Sequence, residues 1–345
     1  MGTTGRFLAE ALFPAARIEE VRAPAVPRIA SPCYDVAMRH AILGAGGIGG
    51  LIGACLARAG AAVTLVVRPE ALADYPPQLR LESAFGYFEV PVACAAEVPA
   101  CDVLWITTKA TQVDAAMKAI TDPASVGAMV PLLNGIDHVA TLRAKFGADR
   151  VIAATIGVES ERVAPGHIVH LSPWARLNVS SMGRARLGGT LAQLQAAGFE
   201  TKFHDDEATL MWSKLVFLGP VALVTTAADQ PVGGILSDTA LQAELEACVR
   251  EAVAVGVAEG ARLDADKTLA VIAGMPARMR SSMQKDVEQG KEPELDAIAG
   301  PIVRGARRHG IEIPATRRLV HSVEQRTGRV DSVVPERFCS GPCKA

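Results

Sequence analysis

No stretch of this sequence concentrates positive charge. Its 35 Lys and Arg stand against 37 Asp and Glu, a formal net charge of -2, and the basic residues are scattered along the chain. A nucleic-acid-binding face needs them clustered, so they read here as solvated surface. Also lacking is an apolar run of eighteen or more residues. The longest candidates are broken by Gly, Thr or charge, and no membrane span is expected. Nor is there a short apolar core followed by a cleavage site near the start, and Glu10, Glu19 and Glu20 do not suit a transit peptide. The seven cysteines, at 33, 55, 94, 101, 248, 339 and 343, are odd in number and form no regular framework. Cys55, Cys94, Cys101 and Cys248 sit in apolar contexts and read as small core residues. Cys339 and Cys343, in FCSGPCKA, have no His or Cys pair nearby, so no metal site is expected. A reducing, cytoplasmic setting is the expectation for such a chain.

What is present is a chain of 345 residues, half of them hydrophobic, enough for two domains with a substantial core. Residues 1–37 end in the Pro-rich connector APAVPRIASP and read as an appended segment, expected to be disordered and without an assigned role. Met38 stands directly before the first strand, where a natural start could fall. From there strands and helices alternate: AILGA, IGGLIGACLARAG, AVTLVVR, CDVLWITTK, a helix over TQVDAAMKAI, AMVPLLN, HVATLRAKFG and RVIAATIGV. Apolar strands separated by helices indicate a parallel sheet buried on both faces. HIVHLS and RLNVSS add strands, and FETKFH closes this part. From Glu207 to about Glu324 the pattern is mostly helical. The expected fold is thus an α/β Rossmann-type dinucleotide-binding domain over 38–205, an all-α helical domain over 206–330 and a tail over 331–345.

Gly44-Ala45-Gly46-Gly47-Ile48-Gly49 fits G-x-G-x-x-G, and it follows a strand, opens a helix and precedes a second strand. The first Gly permits the tight turn, the second lets backbone approach a pyrophosphate, and the third lets helix and strand pack closely. The helix N-terminus adds free N–H groups and positive dipole. At the end of the second strand, an Asp or Glu would bind the ribose 2′-OH of NAD. This strand ends in Val67-Arg68-Pro69, and a guanidinium clamps a phosphate, so Arg68 favours NADP. The alternative is a surface arginine, with Glu70 serving the ribose of NAD.

With these motifs in place, the sequence from about Met38 to Glu324 resembles the ketopantoate reductases (2-dehydropantoate 2-reductases), which reduce a 2-keto acid with NADPH. The resemblance runs through GAGGIGG, ITTKATQ, LLNGID, MWSKLVFLGPVALVTT, SSMQKDVEQGKEPELDAIAG and RRHGIEIPATRRL, in the family's order. It implies that Lys109 contacts cofactor and substrate, and that Asn134 lies at the nicotinamide end and contacts substrate. It implies too that Lys214 is the general acid and that Ser282 binds the substrate carboxylate. Glu294 would contact cofactor and substrate and help hold the lysine, with Asp286 as a supporting residue or a cap. A lysine is chemically suited to the role, because hydride addition to a ketone leaves an alkoxide that needs a proton and a nearby positive charge.

In the family two asparagines follow the lysine, four and eight residues on. Here those positions are Leu218 and Ala222. Two lost hydrogen bonds to a substrate hydroxyl could cost a hundredfold or more in discrimination, at about 1–3 kcal/mol each. The expectation is an NADPH-dependent reductase of a 2-keto acid, with 2-dehydropantoate the first substrate to try and a less polar 2-keto acid the natural variant. A dehydrogenase of the same build acting on opines or 3-hydroxy acids, and a non-catalytic NADP-binding sensor, are the competing readings. Apolar helices such as LQAELEACVREAVAVGV could support a homodimer.

Overall fold

The computed structural model describes residues 38–328 and Val333. The extension over 1–37, Cys33, Cys339, Cys343 and the rest of the C-terminal tail lie outside the described residues. The chain opens with β1 (Arg39–Leu43), α1 (Gly47–Arg58), β2 (Ala62–Val66), β3 (Gln78–Ser83), β4 (Gly86–Pro91), β5 (Ala93–Ala95), β6 (Cys101–Ile106) and β7 (Val126–Pro131). Strands β5-β2-β1-β6-β7 form one sheet in that order, every pair parallel. Ala41, Ile42, Val103, Leu104, Trp105, Ala128 and Met129 are fully buried in it, which is why these strands read as unbroken apolar runs. The strand order reverses between β1 and β6. A crevice therefore opens beyond their carboxyl ends, where ligands of open α/β sheets bind.

Two elements differ from expectation. TQVDAAMKAI is not one helix but three short turns, Ala110–Gln112, Val113–Ala116 and Met117–Ala119. Thr, Val and Asp are weak helix formers, no side chain caps the start, and Met117 and Ile120 are drawn into the sheet's core. RVIAATIGV is not a single strand of the parallel sheet either. Val151 makes one parallel bridge to Met129, and the chain then leaves as β8 (Ala154–Gly157) for another sheet. Its buried residues pass through the core between layers, which gives the same apolar texture as a strand.

The remaining strands, β9 (Ser160–Ala164), β10 (His167–His170), β11 (Arg176–Ser180) and β12 (Glu200–His204), frame helix α3 (Arg184–Ala196) and α2 (Asp137–Phe146) precedes them. They build a four-stranded sheet β4-β3-β10-β9 and a three-stranded sheet β12-β11-β8. The four-stranded sheet lies over α1, where a Cβ at Gly50 would collide with Ile168 of β10.

The second part is helical: α4 (Glu207–Ala228), α5 (Val232–Ser237), α6 (Thr239–Ala258), α7 (Ala265–Ala273), α8 (Ser282–Glu288), α9 (Leu295–His309) and α10 (Pro314–Thr327). Caps mark the starts. The Asp206 carboxylate accepts from Thr209 N (2.9 Å) and Thr209 Oγ1 (2.7 Å) before α4, and Asp238 accepts from Ala240 N and Leu241 N before α6. α4 is long and apolar enough to cross a membrane by length and composition, contrary to the sequence reading, yet 67% of that stretch is buried inside the protein. The apolar face of α6, with Leu245, Cys248, Val249 and Ala252, is spent inside the same core as Trp212 of α4. Cys55, Cys101 and Cys248 are buried and free, as their contexts suggested.

Inside the sheet, His40 is 1% exposed and accepts a hydrogen bond at Nδ1 from the Trp105 indole N–H (3.3 Å). Burial pushes its pKa down from 6.5 to about 4. Between those values the unfolded chain carries the extra proton, so stability falls as the pH drops, by up to about 1.4 kcal/mol per pH unit for this group. The urea midpoint should therefore fall more between pH 6.5 and 4.5 in the wild type than in His40→Gln. Parallel falls in both would show that another group sets the acid limit.

Candidate active site

The loop after β1 displays the three glycine roles separately. Gly44 has φ +106°, and a Cβ there would press on Thr107 and Thr108. A Cβ at Gly49 would collide with the Gly44 carbonyl and Thr107 Oγ1, so this glycine sets the helix-to-strand packing. At Gly46 an added Cβ meets nothing within 4 Å, leaving open space beside the backbone. Gly47 abuts Ser160, whose hydroxyl donates to the Gly47 carbonyl (3.0 Å). Ala45 turns its side chain to the core and so offers a ligand only its backbone, while Ile48 packs partly against the same core. No side chain caps α1, and its first turn holds no acid. Its first N–H groups thus face the crevice with the dipole's positive end, a fit for a pyrophosphate.

Arg68 follows β2 at the neighbouring strand end. Its side chain is 82% exposed and reaches Glu70 at 3.5 Å. This exposed pair is weak and leaves the guanidinium available to an anion.

The loops after β6 and β7 carry Lys109 and Asn134, and the helical part meets them there. Glu294, only 7% exposed, precedes α9 yet does not cap its own helix. Its carboxylate accepts from Ala110 N (2.6 Å) and from Asn134 Nδ2 (2.9 Å). With its amide nitrogen thus committed, Asn134 presents Oδ1 to Lys214 Nζ, 3.3 Å away. Glu294 therefore holds the lysine through Asn134. Burial lowers the Lys214 pKa from 10.5 to about 8, and the Glu294 charge opposes that fall. Gly135, at φ +80°, is the one residue that fits beside Asn134, because a Cβ there would run into the Ala297 carbonyl of α9.

Lys109 points elsewhere. Its ammonium is held by both carboxylate oxygens of Asp286 at 2.6 Å, so Asp286 is an inter-part ion-pair partner and not a helix cap. The cap of α8 is Ser281, which accepts from Gln284 N (3.1 Å) and is bonded by Thr225 Oγ1 (2.9 Å). Ser282 is the first residue of α8, is exposed, and has no side-chain hydrogen bond among the described residues. On α4, Leu218 is half-buried and Ala222 is 1% exposed within the helical core. His138 Nε2, on the first turn of α2, is buried and without a hydrogen-bond partner among the described residues, and burial, with the Lys214 charge adding to it, pushes the ring's pKa down to about 4. The 177 positions that separate Lys109 from Asp286 kept their pairing from being readable locally. Among the described residues no cluster of three His, Cys, Asp or Glu could hold a metal ion.

A glycine-loop α/β sheet joined to a helical part that delivers a half-buried lysine defines a dinucleotide-dependent oxidoreductase. The family model for ketopantoate reductase PanE/ApbA matches residues 40–184, and that for its C-terminal part matches 207–327. The chain is 33% identical over 290 residues to a 2-dehydropantoate 2-reductase from Caulobacter vibrioides, covering 81% of this chain and 96% of that protein. Among solved structures it is similar to a PanE/ApbA family ketopantoate reductase from Ralstonia eutropha JMP134, at 29% identity and a TM-score of 0.75 over 84% of this chain and 99% of that one. A D-mandelate dehydrogenase solved with NADH and anilino(oxo)acetate shares the fold, at 20% identity and a TM-score of 0.74 over 84% and 99%. The chain belongs to the ketopantoate reductase family.

The glycine geometry separates two substitutions. Gly46→Ala should leave the melting temperature nearly unchanged and weaken dinucleotide binding about tenfold or more in a fluorescence titration. Gly49→Ala should lower the melting temperature itself. Equal effects of the two on stability would contradict the roles assigned here.

Proposed function

We propose that this chain reduces a 2-keto acid to the 2-hydroxy acid with NADPH, 2-dehydropantoate being the first substrate to test. The observation that carries this reading is the linkage Lys214–Asn134–Glu294–Ala110 N across the crevice. The uncapped start of α1 suits the pyrophosphate, and Arg68 suits a 2′-phosphate. The nicotinamide, when bound, supplies the hydride. Lys109, Asn134 and Glu294 border the position for the nicotinamide end and substrate, and Ser282 is free to donate to the substrate carboxylate.

Lys214 supplies the proton. As the carbonyl carbon gains hydride, its oxygen gains the negative charge, and the ammonium neutralises it by transferring one N–H proton. Its pKa near 8 keeps it charged at neutral pH while easing that transfer. Asn134 and Glu294 favour the ammonium before transfer and fix where it points. Burial around them keeps the local dielectric low, which strengthens the interaction with the developing alkoxide.

Leu218 and Ala222 favour a second reading of the substrate. They follow Lys214 by one and two helical turns; half-buried Leu218 offers no hydrogen bond, and Ala222 is sealed in the helical core. A 2-keto acid with an apolar side chain suits the Leu218 side better than one bearing a hydroxyl.

A cofactor-oxidation assay against a keto-acid panel tests both readings. Turnover of NADPH with some 2-keto acid supports the reductase. Tight NADPH binding with no turnover of any panel member would favour a non-catalytic sensor instead. Efficiency far higher for ketopantoate than for its deoxygenated analogues would overturn the apolar reading.

Lys214→Ala should reduce turnover by several orders of magnitude while NADPH still binds, and wild-type kcat/KM for reduction should decline above about pH 8 as the ammonium loses its proton. Near-normal turnover would remove Lys214 from the mechanism. Arg68→Asp should weaken NADPH roughly 10- to 100-fold, the worth of one charge-assisted contact, and leave NADH little changed. An equal loss for both cofactors would take Arg68 away from the 2′-phosphate.

A further inference from the structure

β6 ends at Ile106, and the next residue, half-buried Thr107, reaches across to the glycine turn that follows β1. Its hydroxyl lies 2.7 Å from the Gly44 carbonyl oxygen and 3.3 Å from that of Leu43. A threonine hydroxyl has one hydrogen to donate. The Leu43 oxygen already takes the Thr107 backbone N–H at 2.9 Å, so the hydroxyl serves Gly44. The Gly46 N–H donates to the same Gly44 oxygen at 2.8 Å, and both lone pairs of that oxygen are then occupied. The oxygen is tucked beneath the start of α1, where a Cβ added to Gly49 would collide with it and with Thr107 Oγ1.

The same peptide carries a donor at its other end. In a trans peptide the carbonyl and the following N–H point in opposite directions. With the Gly44 oxygen held inward against β6, the Ala45 N–H is turned out of that gap, and it makes no hydrogen bond among the described residues. Nothing in Gly44 itself fixes this orientation. At φ +106° and without a Cβ, it lets the peptide plane turn at little cost. A turned peptide would direct a carbonyl oxygen, with its partial negative charge, to the side where phosphates would meet the start of α1.

We propose that Thr107 is a positioning residue for the dinucleotide: its hydroxyl holds the Gly44 carbonyl inward and so keeps the N–H groups of the glycine loop facing the pyrophosphate. The inference rests on this loop being the dinucleotide site. Thr107 acts on the cofactor only through the Gly44–Ala45 peptide. The end of β6 thereby serves the site twice, with a hydroxyl that sets the glycine turn and, two residues on, the ammonium of Lys109.

The test compares Thr107→Ser with Thr107→Ala in the full chain. Both lose the methyl group, and only the second loses the hydroxyl. In a fluorescence titration Thr107→Ala should bind NADPH and NADH each about five- to tenfold more weakly than Thr107→Ser does, the worth of one hydrogen bond. The factor should be the same for the two cofactors, because they share the pyrophosphate; Arg68→Asp, in contrast, discriminates between them. A threonine that merely stabilised the turn would change the melting temperature and leave the affinity of the folded protein alone. Equal affinities in the Ser and Ala variants therefore overturn the proposal. A loss confined to NADPH overturns it as well, since it would place the influence of Thr107 at the 2′-phosphate. If Thr107→Ala does not fold, Thr107→Val is set against Thr107→Ser, with the same outcomes. These failures are separable from that of the underlying reading. Wild-type protein that binds neither cofactor rejects the dinucleotide site itself, whereas wild-type binding of both, with Thr107→Ala equal to Thr107→Ser, rejects Thr107 alone.

Discussion

The Glu294 carboxylate joins what the chain otherwise keeps apart. One oxygen takes the backbone N–H that follows β6, the other takes the Asn134 amide that follows β7, and the residue itself opens α9 of the helical part. Two strand ends and one helix start are thereby fixed to within a hydrogen bond. A carboxylate so little exposed is costly unless its lone pairs are occupied, and here backbone and side-chain donors occupy them. Asn134 cannot rotate without breaking this bond, so its carbonyl oxygen is aimed by Glu294, and the ammonium of Lys214 is aimed in turn by Asn134. Removing Glu294 would therefore misplace three segments at once. The site is a product of the contact between the two parts and belongs to neither alone.

Glycine makes that contact possible on both sides. Gly44 and Gly49 let α1 begin within touching distance of β1 and β6, and Gly47 and Gly50 let the second sheet close over the same helix. Gly135 does the equivalent for α9, whose Ala297 carbonyl occupies the space of a side chain. The helical part approaches through two further ion pairs, Lys109 with Asp286 and Lys285 with Glu159 (2.7 Å). These neighbouring residues of α8 anchor it against the loops around the glycine turn. Arg304 of α9 adds a third tie, to Asp137 on α2 at 2.7 Å.

Much of this was legible in the residues. The glycine spacing gave the turn, the open position and the packing position correctly, because each is a local demand of backbone sterics. The buried strands β1, β6 and β7 and the long helices of the second part were legible from apolar runs and periodicity. What was not legible depended on long-range packing. The run from Val151 to Ala154 is apolar and buried without a break, so its crossing from one sheet to another left no mark. The strands β3 and β4 and helix α3 carry mixed, half-buried patterns that propensity alone does not resolve. At the site, Lys214 and Glu294 stood out through resemblance, but the order in which they are linked did not, since it is set by the orientation of one amide. Asp286 was read as a supporting residue or a cap, and its pairing with Lys109 was not legible because 177 positions separate the two.

The three tryptophans also divide the molecule in a useful way. Trp105 is sealed in the parallel sheet against a histidine, Trp212 lies in the helical core against Gly256, and Trp174 is partly exposed on the link between β10 and β11, with Arg176 over its ring at 4.7 Å. The native emission spectrum is then a sum of two blue contributions from the two cores and one red contribution from the smaller sheets. Removal of any one indole would leave the other two as local reporters. The chain thus carries built-in optical labels for each layer, able to reveal whether the sheet and the helices come apart together or in turn.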